Sequence, residues 1–149
     1  MSLSFRNLNV SPSDPVDQWP TEAVQTTLER GDLGDWQRLT AQIRKAPWGT
    51  TARQVEEILT HSRPYGVAEA MEHVITRARA RRAAEERDVV AAEVQRAIAR
   101  SGMSRAQLAT CLGTSTSRLS TYATGKVTPS ATFMVRLRHA LGESTNPTE

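Results

Sequence analysis

Apolar residues recur along this chain at spacings of three and four, and the breaks between runs fall at glycine and proline. Val24 and Leu28 form a first short stripe, with Thr21 placed to cap a helix from about Glu22 and Gly31 placed to end it. Trp36, Leu39 and Ile43 form a second, starting near Asp32 or Asp35 and stopping at Pro47-Trp48-Gly49. Val55, Ile58 and Leu59 form a third, opened by Thr50 or Thr51 and closed by Ser62-Arg63-Pro64. In front of these, Pro12, Pro15 and Pro20 among Ser, Asp and Asn predict an extended segment over residues 1–20.

After Gly66 neither proline nor glycine occurs until Gly102. Val67, Met71, Val74, Ile75 and Ala78 make one stripe there, and Val90, Val94, Ala97 and Ile98 make another. Between them residues 77–87, RARARRAAEER, are helix-prone but almost wholly polar or alanine. The pattern predicts one linking helix over residues 66–100, roughly 50 Å long at the α-helical rise. Its alternative is two helices with a bend near 83–88. The run 77–87 reads as a solvated face laced by intrahelical ion pairs, with Glu85 and Glu86 in reach of Arg81 and Arg82.

Beyond Gly102 the elements shorten. Ser104-x-x-Gln107 has capping-box spacing ahead of Leu108, Ala109 and Leu112, and Gly113 stops that run. Thr114 or Ser115 caps the next helix, which carries Leu119 and Tyr122 and ends at Gly125. Thr128-Pro129-Ser130 opens a last helix with Phe133, Met134, Leu137 and Leu141 inward and Gly142 as its stop. Residues 143–149 read as a flexible polar tail. No β-alternation or internal repeat is present. The expected fold class is therefore all-α: an N-terminal helical module at 21–65, the long helix, and a C-terminal helical domain at 88–142.

Composition narrows the function classes. No apolar run approaches bilayer length, and the start MSLSFRNLNV lacks the charged and apolar regions of a signal peptide. With Cys111 as the single cysteine, a cytoplasmic protein without disulfides is expected. Net charge is only +3, but residues 1–60 hold six basic and eight acidic side chains, net −2, whereas residues 61–149 stand at +5. The basic half is the half with the short paired helices, as attraction to phosphate requires. His61, His73 and His139 are isolated, so no metal site is expected, and neither a phosphate loop nor a nucleophile elbow appears. Nothing points to an enzyme or to a cofactor.

The second short helix is dense in small hydrogen-bonding side chains: Thr116, Ser117, Arg118, Ser120, Thr121 and Thr124. Such a cluster alone is more often a solvated face. Its frame changes the reading, because Leu108-Ala109, Leu112-Gly113, Ser115, Leu119-Ser120, Tyr122, Gly125-Lys126 and Pro129-Ser130 fall in an ungapped order. On these residues the stretch 88–141, about a third of the chain, resembles the helix-turn-helix domain of phage Cro and repressor proteins, the XRE-like family. The resemblance implies four or five short helices, of which the second and third bind DNA. Arg105 stands where that family often has Gln, Ala123 where it often has Glu, and Thr114 where a turn residue is commonly aliphatic.

By this resemblance the helix from Ser115 or Thr116 to Thr124 enters the major groove of double-stranded DNA. Thr116, Ser117, Arg118, Thr121 and Thr124 become the expected base readers, with Arg118 placed for bidentate contact to guanine. Arg105, Ser115 and Lys126 become phosphate contacts that fix register. Eight residues follow Leu141, so a dimer surface is expected within residues 1–100, where Trp19, Trp36 and Trp48 are expected to furnish a core. Three readings follow: a dimeric transcriptional regulator, most simply a repressor; an antitoxin-like autoregulator whose N-terminal module holds a protein partner; and a protein-binding adaptor that no longer binds DNA.

Overall fold

The structure, a computed structural model, describes residues 2–142. The tail expected at 143–149 lies outside the described residues. Among the described residues seven α-helices and one 3-10 turn make up the regular structure, and no strand occurs. The order is a 3-10 turn at Val16–Gln18, then α1 (Thr21–Arg30), α2 (Leu33–Lys45), α3 (Thr50–Leu59), α4 (Val67–Ser101), α5 (Arg105–Leu112), α6 (Thr116–Ala123) and α7 (Ala131–Ala140). The fold is all-α, with a long helix at its middle.

The chain divides between Arg82 and Ala83 into two compact units. In the first, Val24, Leu28, Leu39, Ile43, Val55 and Ile58 from α1, α2 and α3 are fully enclosed with Ala68 of α4, and Met71 and Ile75 complete the core. In the second, Val94 and Ala97 of α4 pack with Leu108, Leu112, Leu119, Phe133 and Leu137. Thus α4 is one uninterrupted helix, and it is more than a link: each end contributes a stripe to the core of its own unit. No residue from 79 to 90 is buried.

Several expectations are corrected in the first unit. Residues 2–20 are not simply extended. Leu3, Phe5, Leu8 and Val10 pack against the core, and the Phe5 ring meets Trp19 edge-on at 5.0 Å. Trp19 is 2% exposed, its indole N–H donates to the Asp14 carbonyl, and the Arg38 guanidinium lies 5.0 Å over its ring. Arg38 also donates to the carbonyls of Pro12 and Asp14, so one cation ties the segment down. The apolar residues of 1–20 follow no clean period, which hides this packing from a periodicity argument.

Thr21 does not cap α1; it is the first helical residue, and Pro20 stands at the cap position with no side-chain bond. Pro20 suits that place because a helix start leaves its own N–H groups unpaired in any case. Trp48 is not core. The turn at 47–49 buries Pro47 and leaves Trp48 46% exposed, while Trp36, half-buried, donates from its indole to the Thr27 carbonyl at 2.9 Å. Arg79, expected on a solvated face with intrahelical partners, instead binds Glu56 of α3 and the Pro47 carbonyl.

Candidate nucleic-acid interface

Local sequence signals set up the α5–α6 pair. Ser104 and Gln107 form a reciprocal capping box: Ser104 Oγ accepts from the Gln107 N–H at 3.1 Å, and Gln107 Oε1 from the Ser104 N–H at 2.9 Å. At the other end Gly113 is left-handed, with φ 69°. Thr114 N–H donates to the Ala109 carbonyl and Gly113 N–H to the Thr110 carbonyl, the paired bonds of a Schellman stop. Ser115 then caps α6, its Oγ accepting from the Arg118 N–H at 3.1 Å. Two eight-residue helices are therefore joined by a three-residue turn, 113–115.

Burial assigns the faces of α6. Leu119 and Ala123 are enclosed, and Tyr122 is half-buried against Phe133 with ring centroids 4.9 Å apart. Ser117, Thr121 and Thr124 stand at i, i+4 and i+7, so they share one stripe on the side away from Leu119 and Ala123. Ser117 and Thr124 are exposed and Thr121 is half-buried. Arg118 flanks that stripe and is exposed. Thr116 is exposed too, but it shares the register of Leu119 and Ala123, at i+3 and i+7, and owes its exposure to its place in the first turn. The structure thus brings together Ser117, Thr121 and Thr124, with Arg118 beside them and Thr116 apart.

The three residues expected at phosphates are all exposed but differently engaged. Arg105 Nη1 donates to Ser120 Oγ at 3.2 Å, tying the start of α5 to the middle of α6. Ser115 has its oxygen occupied by the cap, and its hydroxyl proton is not needed there. Lys126 follows α6 in a turn where Gly125 has φ 78° and the Val127 N–H donates to the Thr121 carbonyl. Neither Arg118 nor Lys126 has a side-chain partner among the described residues.

Reasoning from local pattern missed two positioning residues. Ser120 receives Arg105, and Gln95 of α4 donates to the Ala123 carbonyl at the end of α6. No local signal marks Gln95, because its partner is 28 residues away. A third feature was available in the sequence: residues 102–142 carry Arg105, Arg118, Lys126, Arg136 and Arg138 but no carboxylate. Arg138 is drawn to Glu93 of α4 at 3.0 Å, and Arg136 reaches the Leu112 carbonyl at 3.4 Å. The remaining cations, Arg105, Arg118 and Lys126, are exposed and have no counter-charge from their own segment.

Other regions offer less. A cleft of about 370 Å³ between α3 and α4 has Leu59 and Ile75 at its base, and its charged walls pair with each other as Arg63–Glu72 and Arg79–Glu56. Among the described residues no group of three His, Cys, Asp or Glu side chains is placed to hold a metal ion. Among them, too, no helix is long and apolar enough to cross a membrane. Cys111 is exposed, with Met103 Sδ 4.0 Å from its sulfur. Comparison of the chain with protein-family models, with curated proteins and with solved structures returned no match.

Proposed function

We propose that this chain is a sequence-specific double-stranded DNA-binding regulator of transcription, a Cro/repressor-type helix-turn-helix protein in which α6 enters the major groove. The observation that carries the reading is the α5–turn–α6 unit: two capped eight-residue helices, a left-handed Gly113, and an outward hydroxyl stripe flanked by unpartnered Arg118, within a stretch free of carboxylates. Small polar side chains let a helix approach base edges closely, and an acid-free surface lets it approach phosphate. In this reading Ser117, Thr121, Thr124 and Arg118 face the bases, and any contact of Thr116 with DNA is made only from the first turn of α6. Arg105, held by Ser120, joins Ser115 and Lys126 at the phosphates.

A single small domain has a limited footprint, so the proposal includes a homodimer through residues 1–100 reading two half-sites. The experiment is binding to random and selected duplexes across a salt series, with the mass of the complex measured. Affinity is expected to fall as salt rises, and Lys126→Ala is expected to flatten the log–log slope by about one unit. A slope that does not change removes Lys126 from the phosphate contacts. Absence of salt-dependent binding sinks the proposal.

In a second reading the first unit also holds a protein partner as an antitoxin does, using large apolar or aromatic side chains left outside its core, such as Trp48. Co-purification of a second polypeptide that is lost on Trp48→Ala would select it.

A further inference from the structure

Two hydroxyls on the outer stripe of α6 are already committed. Thr121 Oγ1 donates to the Arg118 carbonyl at 2.7 Å, and Thr124 Oγ1 donates to the Thr121 carbonyl at 3.2 Å. A threonine hydroxyl has one proton to give, so neither side chain can donate to a base while that bond stands. Turning Oγ1 back toward the preceding turn also settles the other branch. The Cγ2 methyl takes one of the staggered positions that avoid that turn and project from the helix. What Thr121 and Thr124 offer a ligand is therefore a pair of methyl groups and hydroxyl lone pairs.

Base edges in the major groove differ in what they can accept from such a surface. Guanine presents only acceptors there, which Arg118 can meet and these threonines cannot. Thymine carries the groove's one apolar group, the C5 methyl. Thr121 and Thr124 lie three residues apart on the side away from Leu119 and Ala123, about 4.5 Å along the helix axis. That advance is close to the rise of about 3.4 Å between neighbouring bases of one strand.

We infer that Thr121 and Thr124 read thymine methyl groups at neighbouring base steps through their Cγ2 atoms, an inference that rests on the DNA-binding reading above. Specificity then divides by chemistry: Arg118 selects guanine by donation, and the threonine pair selects thymine by apolar contact.

The test uses the full chain and a duplex that it enriches from a random pool, synthesised once with thymine and once with uracil, which pairs alike but lacks the methyl. Uracil is expected to weaken wild-type binding about fourfold per contacted methyl, the weight of one buried carbon. Thr121→Ser keeps the hydroxyl and loses the methyl. It is expected to lower affinity for the thymine duplex by about fourfold, with the uracil duplex nearly unchanged. Thr121→Val keeps the branch and is expected to retain the preference. Circular dichroism of each variant checks that helix content is kept. Equal binding of both duplexes by the wild type overturns the methyl reading while DNA binding stands. So does a preference that survives in Thr121→Ser and disappears in Thr121→Val. If no duplex is enriched and no salt-dependent binding is seen, the DNA-binding reading falls, and this inference with it.

Discussion

In the first unit three long cations are turned onto the fold itself. Arg38 stacks on Trp19 and holds the N-terminal segment, Arg79 bridges Glu56 and the Pro47 carbonyl, and Arg63 pairs with Glu72. In the second unit Arg136 and Arg138 are engaged in the same way, yet Arg118, next to the hydroxyl stripe, and Lys126 have no side-chain partner among the described residues. Arg6, Arg44, Lys45 and Arg77 of the first unit also have no side-chain partner among the described residues, so what sets Arg118 and Lys126 apart is their place in a stretch, 102–142, without a carboxylate. Exposed ion pairs contribute little to folding, and an exposed cation without one loses little. What the unpartnered cations gain is availability to a ligand that carries its own negative charge.

That contrast can be broken at its strongest point first. Trp19→Ala removes an enclosed ring that also carries the Arg38 stack and a hydrogen bond to Asp14. It is expected to cost about 3–5 kcal/mol of first-unit stability. Urea unfolding monitored by amide signals from each unit checks this; an equal loss in both units means that they do not keep separate cores.

Arg118→Ala lies at the opposite pole. It is expected to leave the unfolding midpoint within about 0.5 kcal/mol of wild type, as an exposed side chain should. It is also expected to weaken binding to a selected site by about 1–3 kcal/mol while barely changing binding to random duplex. Equal loss on both duplexes would remove Arg118 as a base reader.

Thr114→Val sharpens the comparison inside the turn. Thr114 Oγ1 is enclosed without a hydrogen-bond partner, at the position where the Cro/repressor pattern commonly has an aliphatic residue. Exchanging an unsatisfied hydroxyl for a methyl is expected to stabilise the second unit by about 1 kcal/mol. A midpoint that falls instead would mean that the hydroxyl has work in the turn.

The smallest effect concerns pH. Glu29 sits below the ordinary carboxylate range because Gln25 and Ser62 both donate to it, and Glu72 does so because Arg63 donates to it at 2.6 Å. A lowered folded-state value stabilises above the unfolded-state value, near 4.5 for these groups, and is lost as pH falls through the folded one. Glu29→Gln is therefore expected to remove a small contribution that is present near neutrality and to leave stability at the acid end nearly unchanged, so that the acid side of the profile becomes shallower in unfolding measured across pH. Both groups lie in the first unit, so DNA affinity should not follow this titration.

How much of this was legible in the sequence depended on the range of the interactions. The Ser104–Gln107 box and the Gly113 stop involve residues within a few positions, and pattern reasoning placed both; it narrowed the cap of α6 to Thr114 or Ser115 and the start of α7 to 128–130, where the structure has Ser115 and Ser130. The hydroxyl stripe of α6 was visible for the same reason, although only burial separates Thr116 from Ser117, Thr121 and Thr124. The Arg38–Trp19 stack, the Arg79–Glu56 bridge and the Gln95 contact join residues far apart in the chain, and nothing local announces them. Trp48 shows the limit from the other side. Its size argues for burial, and a turn that buries Pro47 overrides that argument.

The stretch of α4 in which no residue from 79 to 90 is buried has a kinetic consequence. A segment of that length is a marginal helix by itself, because starting the first turn fixes several residues for a single hydrogen bond. Here a folded core lies at each end, so the costly nucleus is already present and the middle need only propagate inward. Its amide protection then reports local fraying, while that of the flanking turns reports the opening of their own cores.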